Sequence, residues 1–250
     1  MLALPTLLAV LVAWPLRTAA WVAIPSFLLF FLAQDALVNA ARCVLARKRG
    51  PDSPRGRRLW LWTAIHGCGG ATCLGAALVT TEAAIAPVLL ALSLTAALGL
   101  AYVAMAVLGI ERLLGARLTG IAAFASTAPL LMTLDGKPSG HEALGVGALV
   151  LGYFISTLLH VRSFRSRCRS NSRRGVVTHG CLLSHVAAGA IVSLLWLRGA
   201  LPAGALAVLV PVSARVGWEI LRPPSSLKVL GLREIGVAAA FLSAAAALLP

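Results

Sequence analysis

Three ionisable residues lie within stretches of the sequence that are otherwise apolar. Arg215 and Glu219 are four residues apart, so a helix would place them on one face, where they can pair. Asp35 lies in a long apolar run, next to Gln34 and near Asn39. Ionisable groups inside a membrane helix are costly and mark ion or solute pathways. Groups near a helix end can instead reach outward and pair only structurally. The three residues therefore predict either a transport site or a structural ion pair.

Arginine is concentrated in two segments. The first covers residues 45–58, and the second, residues 161–175, contains six arginines and no carboxylate: Arg162, Arg165, Arg167, Arg169, Arg173 and Arg174. We expect both segments to be loops at a membrane surface, because such charge cannot enter hydrocarbon. Near an anionic leaflet each cation gains about 1 kcal/mol. Contact with anionic lipid headgroups is the predicted role, and arginine forks around a phosphorylated substrate are the alternative.

Histidines and cysteines occur near the apolar runs in two places, but their spacing does not provide a metal site. His66 and Cys73 are seven apart and share a helical face, whereas His179 and His185 are six apart and do not. A zinc site needs three or four such ligands. We predict no metal and no cofactor. The odd number of cysteines and their presumed cytoplasmic side also make a disulfide framework unexpected.

The composition indicates the class of protein to which these candidate residues belong. Of the 250 residues, 59% are hydrophobic and only 12% are charged, and mean hydropathy is +0.90. No soluble core can bury that much apolar surface, so we predict an all-α, polytopic transmembrane helix bundle forming one domain over residues 1–250. We expect about nine spans, near residues 2–14, 19–44, 59–80, 83–110, 118–134, 142–160, 176–197, 205–221 and 235–249. The first of these is short, which favours a true start upstream of Met1.

The distribution of cations predicts the orientation of these spans. With nine spans, 19 of the 22 Lys and Arg residues lie on one side, and only Arg17, Lys137 and Arg198 lie on the other. Cytoplasmic loops carry the excess of Lys and Arg, so we expect the N-terminus inside and the C-terminus outside. The net charge of +14 does not indicate nucleic-acid binding, because the cations are divided among separate loops.

A short pattern occurs twice in the chain. His66-Gly67-Cys68 follows the first basic segment and His179-Gly180-Cys181 follows the second, 113 residues later. That offset is four predicted spans, so both copies would point the same way across the membrane. It predicts a weak parallel internal repeat.

Several segments resemble the YwiC-like family of bacterial integral membrane proteins, whose molecular function is uncharacterised. They are IPSFLLFFLAQDAL, GIERLLGARLTGIAAF, LLHVRSFRSR with THGCLL, and PVSARVGWEILRPPSSLKVLGLREIG. Val161-Arg162, His179 and Gly231 to Ile235 occupy the places of short family motifs. The resemblance implies a multi-pass protein of the bacterial cytoplasmic membrane. Family members usually begin with a His-Gly-Ala-Trp-like segment ahead of the first span, and this sequence starts after that point. Either the start is misassigned or the segment is lost.

The layout is also similar to the nine-helix fold of UbiA-type prenyltransferases. Those enzymes hold a prenyl diphosphate through magnesium on two Asp-rich motifs, whereas the corresponding segments here offer Asp52 alone. Ordinary prenyl transfer is therefore not expected, because magnesium needs carboxylate ligands. Three hypotheses remain: a protein that contacts lipid without catalysis, a UbiA-like enzyme acting on a phosphate-bearing lipid, and a small-solute or ion transporter. The enzyme hypothesis depends on Arg112, Arg162, His179 and Glu234, and the transporter hypothesis on Asp35, Arg215 and Glu219.

Overall fold

The chain folds into helices throughout the part that the structure describes. A computed structural model describes residues 6, 10, 16–45, 53–136, 140–168, 174–221 and 226–249, and all regular structure in these residues is α-helical. The chain divides into two compact units. The N-terminal unit is Pro15–Pro138, and the main part of the C-terminal unit is Ser139–Pro250.

Five helices form the described part of the N-terminal unit: α1 (Thr18–Leu45), α2 (Pro54–Thr80), α3 (Ile85–Val107), α4 (Leu114–Ala125) and α5 (Thr127–Asp135). Helices α1 and α2 pack closely along their length. A Cβ atom added to Gly70 would lie 3.1 Å from the Phe30 ring, so this glycine lets the two helices approach. Gly69 and Gly70 of α2 thus serve helix packing, whereas nothing lies within 4 Å of a Cβ atom added at Gly67 or Gly75.

The start of α2 differs from the sequence prediction. Residues 54–58 belong to the helix instead of the expected loop. Ser53 caps the helix by accepting a hydrogen bond from the Gly56 amide at 3.1 Å, and Pro54 occupies the first helical position. Proline is favoured there, since its fixed φ suits a helix and its missing N–H would have no partner. The proline therefore starts this helix instead of breaking it.

The predicted span 118–134 consists of two consecutive helices that meet at Ser126. Pro129 explains the break, because it cannot donate a hydrogen bond to the carbonyl of Ala125 and its ring crowds that carbonyl. Together α4 and α5 are long and apolar enough to cross a membrane. One candidate membrane span is thus built from two helical pieces.

Two contact clusters mark the ends of the N-terminal unit. At one end the Arg17 amide donates to the fully buried Asp135 at 2.6 Å, and the Arg17 guanidinium pairs with Glu82 at 2.6 Å. At the other end Arg42 binds the Ala106 carbonyl and pairs with Glu111 at 2.8 Å. The backbone amide of Glu111 and then the Arg42 side chain hold the pKa of Glu111 below its ordinary value. Helix ends therefore alternate between two sides, as in the predicted membrane topology.

Five further helices form the described part of the C-terminal unit: α6 (Gly140–Cys168), α7 (Arg174–Leu197), α8 (Gly204–Val208), α9 (Val210–Leu221) and α10 (Leu227–Leu248). Helix α6 packs against α7 and α9, and α10 packs against α8 and α9. Pro211 lies in the first turn of α9 and separates it from α8, for the reason given for Pro129. At the core, the Tyr153 and Phe241 rings lie 4.7 Å apart.

The second basic segment also differs from the predicted loop. Helix α6 continues through residues 161–168, and α7 begins at Arg174. Residues 161–168 contain no proline or glycine, and arginine is a good helix former, so the helix does not end where the apolar run ends. Residues 169–173, with Arg169 and Arg173, lie outside the described residues.

Seven helices in the described part of the chain are long and apolar enough to cross a membrane: Thr18–Leu45, Gly56–Thr80, Ile85–Val107, Leu114–Asp135, His141–Arg165, Gly180–Leu197 and Lys228–Leu248. The predicted eighth span appears as a shorter apolar helical stretch, Gly204–Trp218. The predicted first span falls mostly outside the described residues. The chain is therefore an all-helical protein of multi-pass membrane type, and nine spans and a UbiA-like layout stay predictions.

Candidate functional site

Five polar side chains from four helices meet inside the C-terminal unit. We call Ser156 and Thr157 of α6, His185 of α7, Arg215 of α9 and Glu234 of α10 the polar centre. Helices α6, α7 and α10 are candidate membrane spans, and α9 lies mostly within the shorter apolar stretch. The polar centre therefore lies among helices that are otherwise apolar.

Arg215 is the hub of the polar centre. Its Nη1 donates to Glu234 Oε2 at 2.5 Å and to Thr157 Oγ1 at 3.3 Å, and its Nη2 donates to Ser156 Oγ at 3.3 Å. The side chains of Arg215 and Glu234 are 2% and 15% exposed. The ion pair is thus almost completely removed from solvent and bridges α9 to α10.

A hydrogen-bonded chain extends from Arg215 to His185. His185 Nδ1 lies 2.8 Å from the Cys181 carbonyl, which can only accept, so Nδ1 carries the hydrogen. In the neutral ring Nε2 is then an acceptor, and it lies 2.6 Å from Ser156 Oγ. Ser156 therefore donates to His185 and accepts from Arg215. A proton added at His185 Nε2 would force the Ser156 hydroxyl to turn away.

One donor of the hub has no partner. Arg215 Nε is buried and makes no hydrogen bond with any described residue. A buried charged donor without a partner is uncommon in native structures and calls for a specific cause. This unused nitrogen is the feature of the polar centre that a sequence could not reveal.

The other arginines predicted to act in the C-terminal unit occupy different positions. Arg162 is half-buried, and its Nη1 is buried without a hydrogen-bond partner among the described residues. Arg165 is exposed near the end of α6. Arg167 and Arg174 belong to α6 and α7, but their side chains lie outside the described part of the chain, as does that of His179.

The structure pairs Arg215 with Glu234. The Glu219 side chain lies outside the described residues, so the predicted pairing of Arg215 with Glu219 stays a prediction. Glu234 was a candidate for the enzyme hypothesis only. Sequence reasoning missed this pair because its members are 19 residues apart on two helices.

The remaining candidates belong to the N-terminal unit. Asp35 and Arg112 are both exposed, and no described side chain pairs with the Asp35 carboxylate. His66 stacks on Trp62 with ring centroids 5.2 Å apart, and Cys73 is half-buried. Within the described residues, no three His, Cys, Asp or Glu side chains lie close enough together to hold a metal ion.

Comparison of the chain with protein-family profiles, with curated proteins and with solved structures finds no match. The functional argument therefore depends on the chemistry of the polar centre and on the distribution of charge. The resemblance to YwiC-like and UbiA-type proteins stays an expectation from short motifs and layout.

Proposed function

We propose that this chain is a multi-pass membrane protein that moves a small solute or ion through its C-terminal unit, and that the polar centre is the site of passage. The observation that carries this proposal is the Arg215–Glu234 pair, whose side chains are 2% and 15% exposed among apolar helices. Ionisable residues within membrane helices are rare, and they mark ion pathways, proton relays and substrate sites.

Stability alone does not account for this pair. Replacing a buried ion pair with apolar residues of similar volume is often neutral or stabilising. Leucine or methionine at residues 215 and 234 would therefore hold α9 against α10 equally well. The hydrogen-bonded chain to His185 adds a second group that can take up a proton. A pair of opposite charges linked to a titratable ring supports a role in ion or proton movement.

The lysine variant of Arg215 tests the proposal. We expect purified wild-type protein in dye-loaded proteoliposomes to dissipate an imposed pH gradient when potassium phosphate, sulfate or chloride is present. Arg215→Lys keeps the positive charge but loses the planar fork, so its flux should fall to that of protein-free vesicles.

The matched control is Arg198→Lys. Arg198 is an exposed arginine of the same unit, in the turn that follows α7, and its replacement should leave flux unchanged. Equal flux from wild-type and protein-free vesicles with every salt would refute transport of these ions. An Arg215→Lys variant with wild-type flux would refute the polar centre as the site of passage.

A second candidate function is contact with anionic lipid headgroups, as the arginine content of the sequence predicts. The supporting observation is that Arg57, Arg58 and Arg112 are exposed at helix starts and turns near the Arg42–Glu111 contact. We define this group of arginines as the basic end. Arg17, at the other end of the unit, is paired with Glu82. We propose that the basic end faces the cytoplasm of a bacterial cell, with the N-terminus inside and the C-terminus outside.

Neutralising the basic end tests lipid contact. Each cation gains about 1 kcal/mol near an anionic surface, so Arg57→Gln combined with Arg58→Gln should weaken retention of phosphatidylglycerol about tenfold or more. Native mass spectrometry of gently purified protein measures the retained lipid. Arg198→Gln is the control and should retain lipid as the wild type does. Equal retention by the double variant would contradict this role.

The enzyme hypothesis has less support. Of its candidate residues, Glu234 is paired with Arg215, and the His179 side chain lies outside the described residues. The described geometry therefore supports the transport hypothesis more strongly than the enzyme hypothesis.

A further inference from the structure

Arg215 has one edge whose hydrogen-bond donors are not all used by described residues. The guanidinium is planar, and the N–H bonds of Nε and Nη2 point in parallel from one side of it. Glu234 binds Nη1, Nη2 makes one long bond of 3.3 Å to Ser156, and the buried Nε has no partner among the described residues. The Nε–Nη2 edge is therefore a fork with at least one unused donor.

We propose that this edge binds a small oxyanion, which is the solute of the transport site. Two parallel N–H donors match two oxygens of a phosphate, sulfate or carboxylate group, and bidentate binding of this kind is strong and specific. The Ser156 hydroxyl, which already contacts Nη2, lies beside the fork. The inference depends on the proposed transport function and names the class of its substrate.

The burial of Arg215 strengthens this inference. The whole residue is only 5% exposed, so bulk water does not satisfy Nε. A buried donor without a hydrogen-bond partner costs more free energy when it belongs to a charged group than when it belongs to a neutral one. An oxyanion at the fork removes that cost. A neutral solute would supply one acceptor and no charge, and it fits the site less well.

Arg162 is a further arginine of α6, the helix that carries Ser156. It lies six residues after Ser156, or about 9 Å further toward the basic segment at the end of that helix. Its Nη1 is buried and has no partner among the described residues. Six residues turn α6 by about 240°, so Arg162 lies on a different face of the helix from Ser156 and is not part of the fork.

The negative charge of Glu234 would repel the bound anion. Its carboxylate lies on Nη1 of the same guanidinium, so two negative charges would share Arg215. Removing the charge of Glu234 should therefore tighten oxyanion binding. This opposition also makes the loaded site easier to empty, which a carrier needs.

The oxyanion could be a soluble ion or the phosphate of a lipid headgroup. Ser156 lies nine residues inside Arg165, or about 14 Å along α6, which is deep for a headgroup. We therefore infer a soluble ion. The two sources are separated by titrating inorganic phosphate in a phosphate-free maltoside detergent and, in a second arm, adding phosphatidylglycerol without inorganic phosphate.

The test follows the Nε–H signal of Arg215 by nitrogen-15 NMR of the full chain, with Arg215→Lys to assign the signal. Inorganic phosphate should shift the signal saturably. In Glu234→Gln the affinity should rise about tenfold or more, because one nearby negative charge is gone. Arg198→Lys should leave the titration unchanged. If Glu234→Gln does not fold, the wild-type titration still decides the question.

The outcomes separate this inference from transport itself. No saturable shift of the wild-type signal with phosphate or sulfate refutes the oxyanion site, even if chloride flux through the protein persists. Saturable binding without any flux keeps the oxyanion site and refutes transport. A response to phosphatidylglycerol alone overturns the soluble ion and identifies the bound oxyanion as a lipid phosphate.

Discussion

Replacing Glu234 with alanine is expected to lower the free energy of unfolding by about 3–5 kcal/mol. The change leaves the guanidinium of Arg215, which is 2% exposed, buried without its carboxylate. The remaining contacts, to Ser156 and Thr157 at 3.3 Å, are long and neutral and cannot replace a charged partner. Denaturant unfolding of the purified full chain in mixed micelles, followed by circular dichroism, measures the loss.

The same truncation at Glu82 is a matched control. Arg17 and Glu82 approach to 2.6 Å, nearly as close as Arg215 and Glu234, but their side chains are 46% and 79% exposed. Exposed pairs contribute about 0–1 kcal/mol, so Glu82→Ala should be nearly neutral. Distance is similar in the two pairs, and burial is what differs. Equal losses from the two truncations would show that burial of the Arg215 pair carries no energetic consequence.

A double replacement distinguishes charge from shape. Arg215→Met combined with Glu234→Leu removes both charges and keeps the volume, so stability should return to the wild-type value or above it. A double variant as unstable as Glu234→Ala would mean that the loss came from packing. Flux should stay absent in the double variant, which would separate the role of the pair in function from its role in folding.

The apolar runs of the sequence predicted most of the membrane helices, because continuous hydrophobicity determines which residues can lie in hydrocarbon. The fourth predicted span, 83–110, agrees with α3, Ile85–Val107, within three residues at either end. Helix ends in the basic segments were harder to predict. Arginine is excluded from hydrocarbon but is a good helix former, so α6 ends eight residues beyond the predicted end of its span.

The hub of the polar centre was predicted, but its partner was not. Spacing by four residues reveals only pairs on one helix, so the sequence pointed to Glu219. Glu234 was placed in a loop before the last span. A local signal could have corrected this, because Ser226 caps α10 by accepting a hydrogen bond from the Val229 amide. Reading that cap places Glu234 two turns inside the helix.

Asp135 shows the same limitation in the N-terminal unit. It belongs to a turn-like sequence, Asp-Gly-Lys-Pro, that directly follows the predicted span 118–134. Its side chain is fully buried and accepts a hydrogen bond from the Arg17 amide, 118 residues away. Local turn chemistry placed the end of α5 correctly, and Gly136 does adopt a positive φ of 71°. The long-range contact depends on how five helices pack, which no local pattern contains.

Replacing Gly204 with alanine is expected to lower the free energy of unfolding by about 3 kcal/mol, at the upper end of the overpacking range. A Cβ atom at this residue would lie 2.3 Å from the Leu248 carbonyl oxygen and 2.8 Å from the Leu248 Cβ. The obstacle includes backbone at the end of α10, so rotation of a side chain cannot relieve it. Either α8 or the end of α10 must move.

Gly236 provides the control for Gly204 within the same unit. It lies inside α10, and nothing in the structure lies within 4 Å of an added Cβ atom. Because alanine favours a helix over glycine by about 1 kcal/mol, Gly236→Ala should be neutral or slightly stabilising. The two substitutions are chemically identical, so a difference of several kcal/mol between them measures the close approach of α8 to α10. Equal unfolding curves for the two variants would contradict that approach. Because α10 also carries Glu234, a displaced α10 should lower flux in Gly204→Ala as well, whereas Gly236→Ala should keep wild-type flux.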